Sequence, residues 1–151
     1  MFTTIEKVIF LQNVDVFSQV ATEQLAHIAA IAEEVSYLEN DIVYEINQAS
    51  DALFVVAEGK IKIHHEGEEI TTVGAREAFG TWSLFDDEPR VATATAAEDS
   101  RLLRVDREEF HELLSDYTEI TQAVLKNIAG RIRGLIGRVG QGPGRRRPPS
   151  T

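Results

Sequence analysis

The spacing of apolar positions changes along the chain, and the change divides it. Ile5, Val8, Ile9 and Leu11 stand at helix-like intervals, and Leu25, Ile28, Ala29 and Ala32 repeat the pattern behind Thr22, a residue type suited to cap a helix start. Two short helices are therefore predicted ahead of the main body. From about Glu34 the period shortens toward two, through VSYL, DIVYEI, ALFVVA, KIKIHH and EEITTV, each bounded by Asn, Asp, Gly or Ser. Short runs of this kind, separated by turns and not by helices, predict an antiparallel barrel or jelly roll and argue against a parallel α/β sheet.

After Gly80 the alternation stops. A short helical stretch, TWSLF, leads into a polar turn, DDEPR, and two further strands follow in VATATAA and RLLRV. Asp106 is placed to cap the next helix, with Phe110, Leu113 and Leu114 as its buried stripe. A longer helix is predicted from about Tyr117, where Ile120, Val124, Ile128 and Ile132 recur every fourth residue beside Leu125, Leu135, Ile136 and Val139. Gly130, Gly134 and Gly137 weaken it, so its last turns are expected to fray or to depend on a partner. The final GQGPGRRRPPST has no apolar period and is rich in Gly and Pro, which predicts disorder. The expected organisation is one domain over 1–139, with a helical segment 1–33, a β body 34–105 and C-terminal helices 106–139, followed by a disordered basic tail 140–151.

Composition narrows the function. A chain of 151 residues can bury a self-supporting core as one domain, and the lack of cysteine removes disulfides, thiolate metal sites and cysteine nucleophiles. No basic start followed by a long apolar run opens the chain, and no stretch of about 18 apolar residues occurs, so a soluble, cytoplasmic protein without a transmembrane segment is expected. The formal charge of −10 hides an asymmetry: residues 1–125 hold 25 acids and eight bases, a net −17, while residues 126–151 hold seven bases and no acid, +7. So acidic a body repels phosphate backbones, and direct DNA binding is not expected. The tail reads as a solubilising segment or the start of a linker.

Candidate chemistry concentrates between Phe79 and Thr93. A glycine leading from a strand into a helical turn lets backbone amides approach an anion closely, which makes Gly80 the start of a plausible phosphate cradle. Ten residues on, beyond the turn fixed by Pro89, Arg90 is placed to return to that cradle with a directional fork of donors. A plainer reading stands beside this one: Gly80 as a turn glycine, and Arg90 as a surface charge answering Asp86, Asp87 and Glu88. No metal is expected, because His27, His111 and the adjacent pair His64 and His65 lack ligand spacing. No Walker loop, G-x-G-x-x-G run or nucleophile elbow occurs, so the chain is not expected to be an enzyme.

From about Phe10 to Arg133 the order of elements resembles the cyclic-nucleotide-binding family. FLQNVDVFSQVATEQLAHIA resembles that family's N-terminal helices, FVVAEGKIKI its strand and turn with Gly59, and FGTWSLFDDEPRVAT its phosphate-binding cassette. The resemblance implies a mainly β fold, an eight-stranded antiparallel β-roll or jelly roll flanked by N-terminal and C-terminal helices. It also implies a ligand site over Phe79, Gly80, Thr81, Trp82, Ser83, Arg90, Val91 and Ala92, with Gly80, Ser83, Arg90 and Val91 on the cyclic phosphate.

Several positions depart from that pattern. Thr81 stands where the family usually has a glutamate for the ribose 2′-hydroxyl, and losing that charge-assisted bond, about 1.5 to 3 kcal/mol, weakens binding about ten- to a hundredfold if nothing replaces it. Trp82 replaces a smaller aliphatic residue, its ring either packing in the core or partly filling the cavity. Arg76 stands where a turn glycine is frequent, Asn47-Gln48-Ala49 replaces a glycine-bearing turn, and Val91 offers no hydroxyl to a guanine, which favours cyclic AMP over cyclic GMP. The expectation is a non-catalytic regulatory domain that senses a cyclic nucleotide or similar small anion. Its signal would pass through the C-terminal helix to an effector domain or protein partner, or to a second copy through residues 117–139. The alternative is a degenerate module that binds no nucleotide and serves as a structural or protein-interaction domain.

Overall fold

The computed structural model describes residues 1–140, with side chains to residue 138. Two helices open the chain, α1 (Thr4–Leu11) and α2 (Thr22–Ile31), with a single 3-10 turn, Asp15–Phe17, between them. Thr3 caps α1 through a reciprocal bond with Glu6. The expected cap at Thr22 does not form: that residue is the first of α2, and Ala21 holds the cap position without a side-chain bond. Eight strands follow, β1 (Ala32–Tyr37), β2 (Ile42–Tyr44), β3 (Ala52–Glu58), β4 (Ile61–His65), β5 (Glu68–Val73), β6 (Ala78–Phe79), β7 (Thr93–Ala96) and β8 (Ser100–Asp106). β6 escapes sequence reading because two residues carry no period.

All pairings are antiparallel, in two four-stranded sheets ordered β1-β8-β3-β6 and β2-β7-β4-β5. This is the eight-stranded β-roll expected. β3 is central and buried on both faces, because alternation sends Leu53 and Val55 toward the helices and Ala52, Phe54 and Val56 between the sheets. The helix-side core adds Leu11, Phe17, Leu25, Ile28, Leu103 and Phe110, and the inter-sheet core adds Ile61, Phe79, Ala94, Ala96 and Leu102. At Gly59, φ is +101° and a Cβ would lie 2.2 Å from Ser100 Oγ, so the β3–β4 turn requires glycine. Arg76 takes the place expected of a glycine by adopting φ +72° itself, its amide bonded to Val56 O at 2.7 Å.

Asp106 caps α3 (Arg107–Asp116) through Glu109 N, and α4 (Thr118–Gly140) continues unbroken through Gly130, Gly134 and Gly137. Its first half buries Ile120 and Val124 against the helix-side core. Each such side chain contributes about 1.5 to 3 kcal/mol, against about 1 kcal/mol lost per glycine. The second half has no such support, because Ile132, Leu135 and Ile136 are exposed. The expected disorder of 140–151 falls on residues that, after Gly140, lie outside those described. No described helix is long and apolar enough to cross a membrane.

Candidate functional site

β6 ends at Phe79, and Gly80 turns the chain with φ +72° into a single 3-10 turn, Thr81–Leu84. A turn of four residues aligns few peptide dipoles, so charge for an anion must come from a side chain. Arg90 supplies it. The residue is 6% exposed, its Nη1 donates to Ser83 Oγ at 2.7 Å, and its Nη2 donates to Ala52 O at 2.9 Å. The reading of Arg90 as a surface charge is therefore wrong: the acidic turn Asp86–Glu88 is exposed, while the guanidinium lies inside.

Close packing explains why residue 80 is a glycine. A Cβ there would stand 2.7 Å from Arg90 Nη1 and 3.2 Å from Ala52 O. A face of the guanidinium is covered by the Tyr44 ring, its centroid 3.9 Å from Arg90 Cζ. Burial lowers the Arg90 pKa and raises that of Tyr44, each loss of solvent disfavouring the charged form. Arg90 Nε is buried without a partner, and among the described residues no carboxylate comes within ion-pair distance of Arg90. Nearby Asp51 is engaged by Arg104 at 3.3 Å. A buried cation without a counter-charge is costly unless an anion completes it.

The backbone on either side is pinned by the turn that replaces the expected glycine-bearing one. Arg90 N donates to Gln48 O at 2.9 Å, Asn47 N donates to Arg90 O at 2.7 Å, and Ser50 Oγ donates to Glu88 O at 2.7 Å. Asn47 reaches this geometry at φ +72°. The far side of the 3-10 turn is tied to α3: Arg107 Nη1 donates to Ser50 O at 2.6 Å and Asp86 O at 2.7 Å, and His111 Nε2 donates to Leu84 O at 2.7 Å.

One cavity of about 320 Å³ is lined by Gly80, Thr81, Trp82, Ser83, Arg90, Val91 and Ala92, with Tyr44 and Ile63 from the sheet opposite. Phe79 does not line it; the ring is buried and stacks on Phe54 with centroids 5.2 Å apart. Trp82 is not a core residue, contrary to one of the two expectations, but stands 52% exposed at the cavity edge because the 3-10 turn points it outward while Ser83 and Leu84 face inward. Val91 is 84% exposed, and Thr81 is half-buried. A larger groove of about 510 Å³ runs along α4 beside Lys126, Arg133 and Arg138, without contact with Arg90. Sequence reading missed Tyr44, Ile63, Ser50 and Arg107. Tyr44 and Ile63 sit at alternating strand positions that look like ordinary core, and only the closing of the two sheets turns them toward residue 90.

The histidines occupy separate places. His27 stacks on Tyr117, His64 bonds Thr95 Oγ1, and His111 is held by Leu84. Among the described residues no group of three metal-ligating side chains comes together.

Comparison with known proteins agrees with this geometry. A family model described as "Cyclic nucleotide-binding domain" matches residues 34–117. The CRP-like cAMP-activated global transcriptional regulator of Mycobacterium tuberculosis is 27% identical over 128 residues, covering 82% of this chain and 57% of that protein. Lysophospholipase nte1 of Emericella nidulans is 32% identical over 117 residues, 74% of this chain but 8% of that protein. The chain thus spans little over half of one curated relative and a small part of the other. The solved N-terminal domain of a transcriptional regulator from Streptomyces coelicolor A3(2) superposes with TM-score 0.78 at 31% identity, covering 83% of this chain and 91% of that one.

Proposed function

The chain belongs to the cyclic nucleotide-binding domain family, and from that membership we propose that it is a non-catalytic, cytoplasmic sensing domain whose cavity takes a cyclic nucleotide, cyclic AMP in preference to cyclic GMP. The observation that carries the reading is Arg90, a buried guanidinium with a free Nε, no carboxylate partner among the described residues, and a place in the cavity wall beside Gly80 and Ser83. The cyclic phosphate is the missing counter-charge. Ile63 and Tyr44 offer apolar surface to the base, and Val91 offers guanine no hydroxyl. Occupancy passes through Arg107 and His111 to α3 and α4, whose exposed Leu125, Ile132 and Leu135 pair with a second copy or an effector domain. With a body of −17, direct contact with DNA is not part of this function.

The experiment is a thermal-shift titration with cyclic AMP and cyclic GMP, since a ligand that binds only the folded state raises its melting temperature. Cyclic AMP is expected to give a saturable shift. Arg90→Ala and Arg90→Lys should each weaken it at least tenfold, the second because an ammonium keeps the charge but not the fork. Unchanged affinity in both variants would remove the phosphate reading. One feature favours the degenerate module instead: both Nη atoms of Arg90 are already held by protein acceptors, and residue 81 has no carboxylate. No shift in the wild-type chain up to millimolar ligand, with Thr81→Glu creating one, decides for that second reading.

A further inference from the structure

Trp82 stands between two cavities. On one side it lines the Arg90 cavity; on the other it lines a space of about 450 Å³ shared with Asn13, Asp15, Arg76 and Arg131. A half-exposed indole on a short turn has little to fix it. Its ring approaches Phe85 at 5.9 Å, and its other neighbour is Arg131 of α4, with Cζ 5.7 Å from the indole centroid. That distance is within reach of a cation–π contact.

Arg131 is itself held by two partners. Its Nη2 forms an ion pair with Asp15 on the first 3-10 turn, and its Nε donates to Asn127 Oδ1 at 3.2 Å. Asn127 in turn donates to Ser18 Oγ at 2.8 Å. The guanidinium is thereby anchored on the N-terminal segment while its face meets the indole. Through one side chain, the middle of α4 touches the wall of the cavity.

We propose that Arg131 is a positioning residue of the ligand site: anchored by Asp15, it holds the Trp82 indole at the mouth of the cavity, so the seating of α4 and the affinity for ligand are coupled. The proposal rests on the Arg90 cavity being a nucleotide site. Coupling is reciprocal, so a ligand that gains from the seated indole also favours α4 seated on the body. It assigns Trp82 a part that Thr81 cannot play, closing the cavity beside Thr81 with an apolar wall and not with a carboxylate.

Because Trp82 is the only tryptophan of the chain, its fluorescence reports the contact directly. Emission maximum and acrylamide quenching of the unliganded protein, and cyclic AMP affinity by calorimetry, are compared for wild type, Arg131→Ala, Arg131→Lys and Asp15→Asn. Arg131→Ala is expected to shift emission to the red, raise quenching and weaken cyclic AMP binding about two- to fivefold, the range of an exposed cation–π contact. Arg131→Lys should restore most of both, and Asp15→Asn should give a smaller change of the same sign. Unchanged fluorescence in Arg131→Ala, or changed fluorescence with unaltered affinity, overturns the positioning role while leaving the nucleotide site standing. A wild-type chain that binds no cyclic nucleotide overturns the reading of the site, and the positioning role with it.

Discussion

At residue 80 the identity of a single side chain decides whether the site can form. The backbone is left-handed at φ +72°, and Arg90 Nη1 occupies the space where a Cβ would stand. Alanine there carries both a conformational cost, about 1 to 2 kcal/mol, and a clash with the guanidinium. Gly80→Ala is therefore expected to lower unfolding free energy by about 2 kcal/mol in urea titrations, and to weaken cyclic AMP binding by displacing Arg90. A variant as stable as wild type would show that the turn relaxes. That Gly80 and Arg90 belong together was one of two readings of a proline-fixed turn, and it was the family resemblance that favoured it. The depth of Arg90 was not legible, because three acids beside it describe a surface as well as they describe a loop folded over a buried cation. Trp82 was open in the same way: its large ring suits a core or a cavity wall, and it is the 3-10 turn that sends it outward to the cavity edge.

At the scale of elements, the question is how the short turn after Gly80 speaks to the helices. Arg107 opens α3 and bonds three carbonyls of the site loops, those of Ser50, Ser83 and Asp86, and His111, one helical turn on, bonds Leu84 O. A hydrogen bond from a charged group contributes about 1.5 to 3 kcal/mol, so the Arg107 bonds are firm ties between the site loops and α3. In amide hydrogen exchange, cyclic AMP is expected to slow exchange both in 79–93 and in α3 and α4. In the double variant Arg107→Ala/His111→Ala, slowing should remain in 79–93 and, through Trp82 and Arg131, in α4, and disappear from α3. Slowing that persists in α3 would place the transmission to that helix elsewhere. Helices and longer strands were readable here because their periods repeat over many residues. The two-residue β6 and the 3-10 turn at Asp15 were not, since neither is long enough to show one.

For the whole molecule, the distal half of α4 is the part left incomplete. Leu125, Ile132 and Leu135 are exposed, and together with Ile128, which is half-buried against the helix-side core, they fall at alternating intervals of three and four, the spacing of a helix seam. Pairing with a second copy would give this half the burial that the first half takes from the core. Sedimentation equilibrium is expected to show a dimer that Ile132→Asp with Leu135→Asp converts to monomer, with the β-roll still folded by circular dichroism. A monomeric wild type would direct the search to an effector domain. The sequence by itself determined the class of fold and the order of its elements, because periodicity and turn chemistry are local properties that neighbouring residues write into the chain; Gly80 and Arg90 it offered as one of two readings, favoured by the family resemblance. Only the tertiary structure decided that Arg90 is buried with no carboxylate within ion-pair distance among the described residues, that Tyr44 covers it, and that Arg131 reaches Trp82. Those facts depend on which residues two sheets and four helices bring together across long stretches of chain, and no local pattern encodes them.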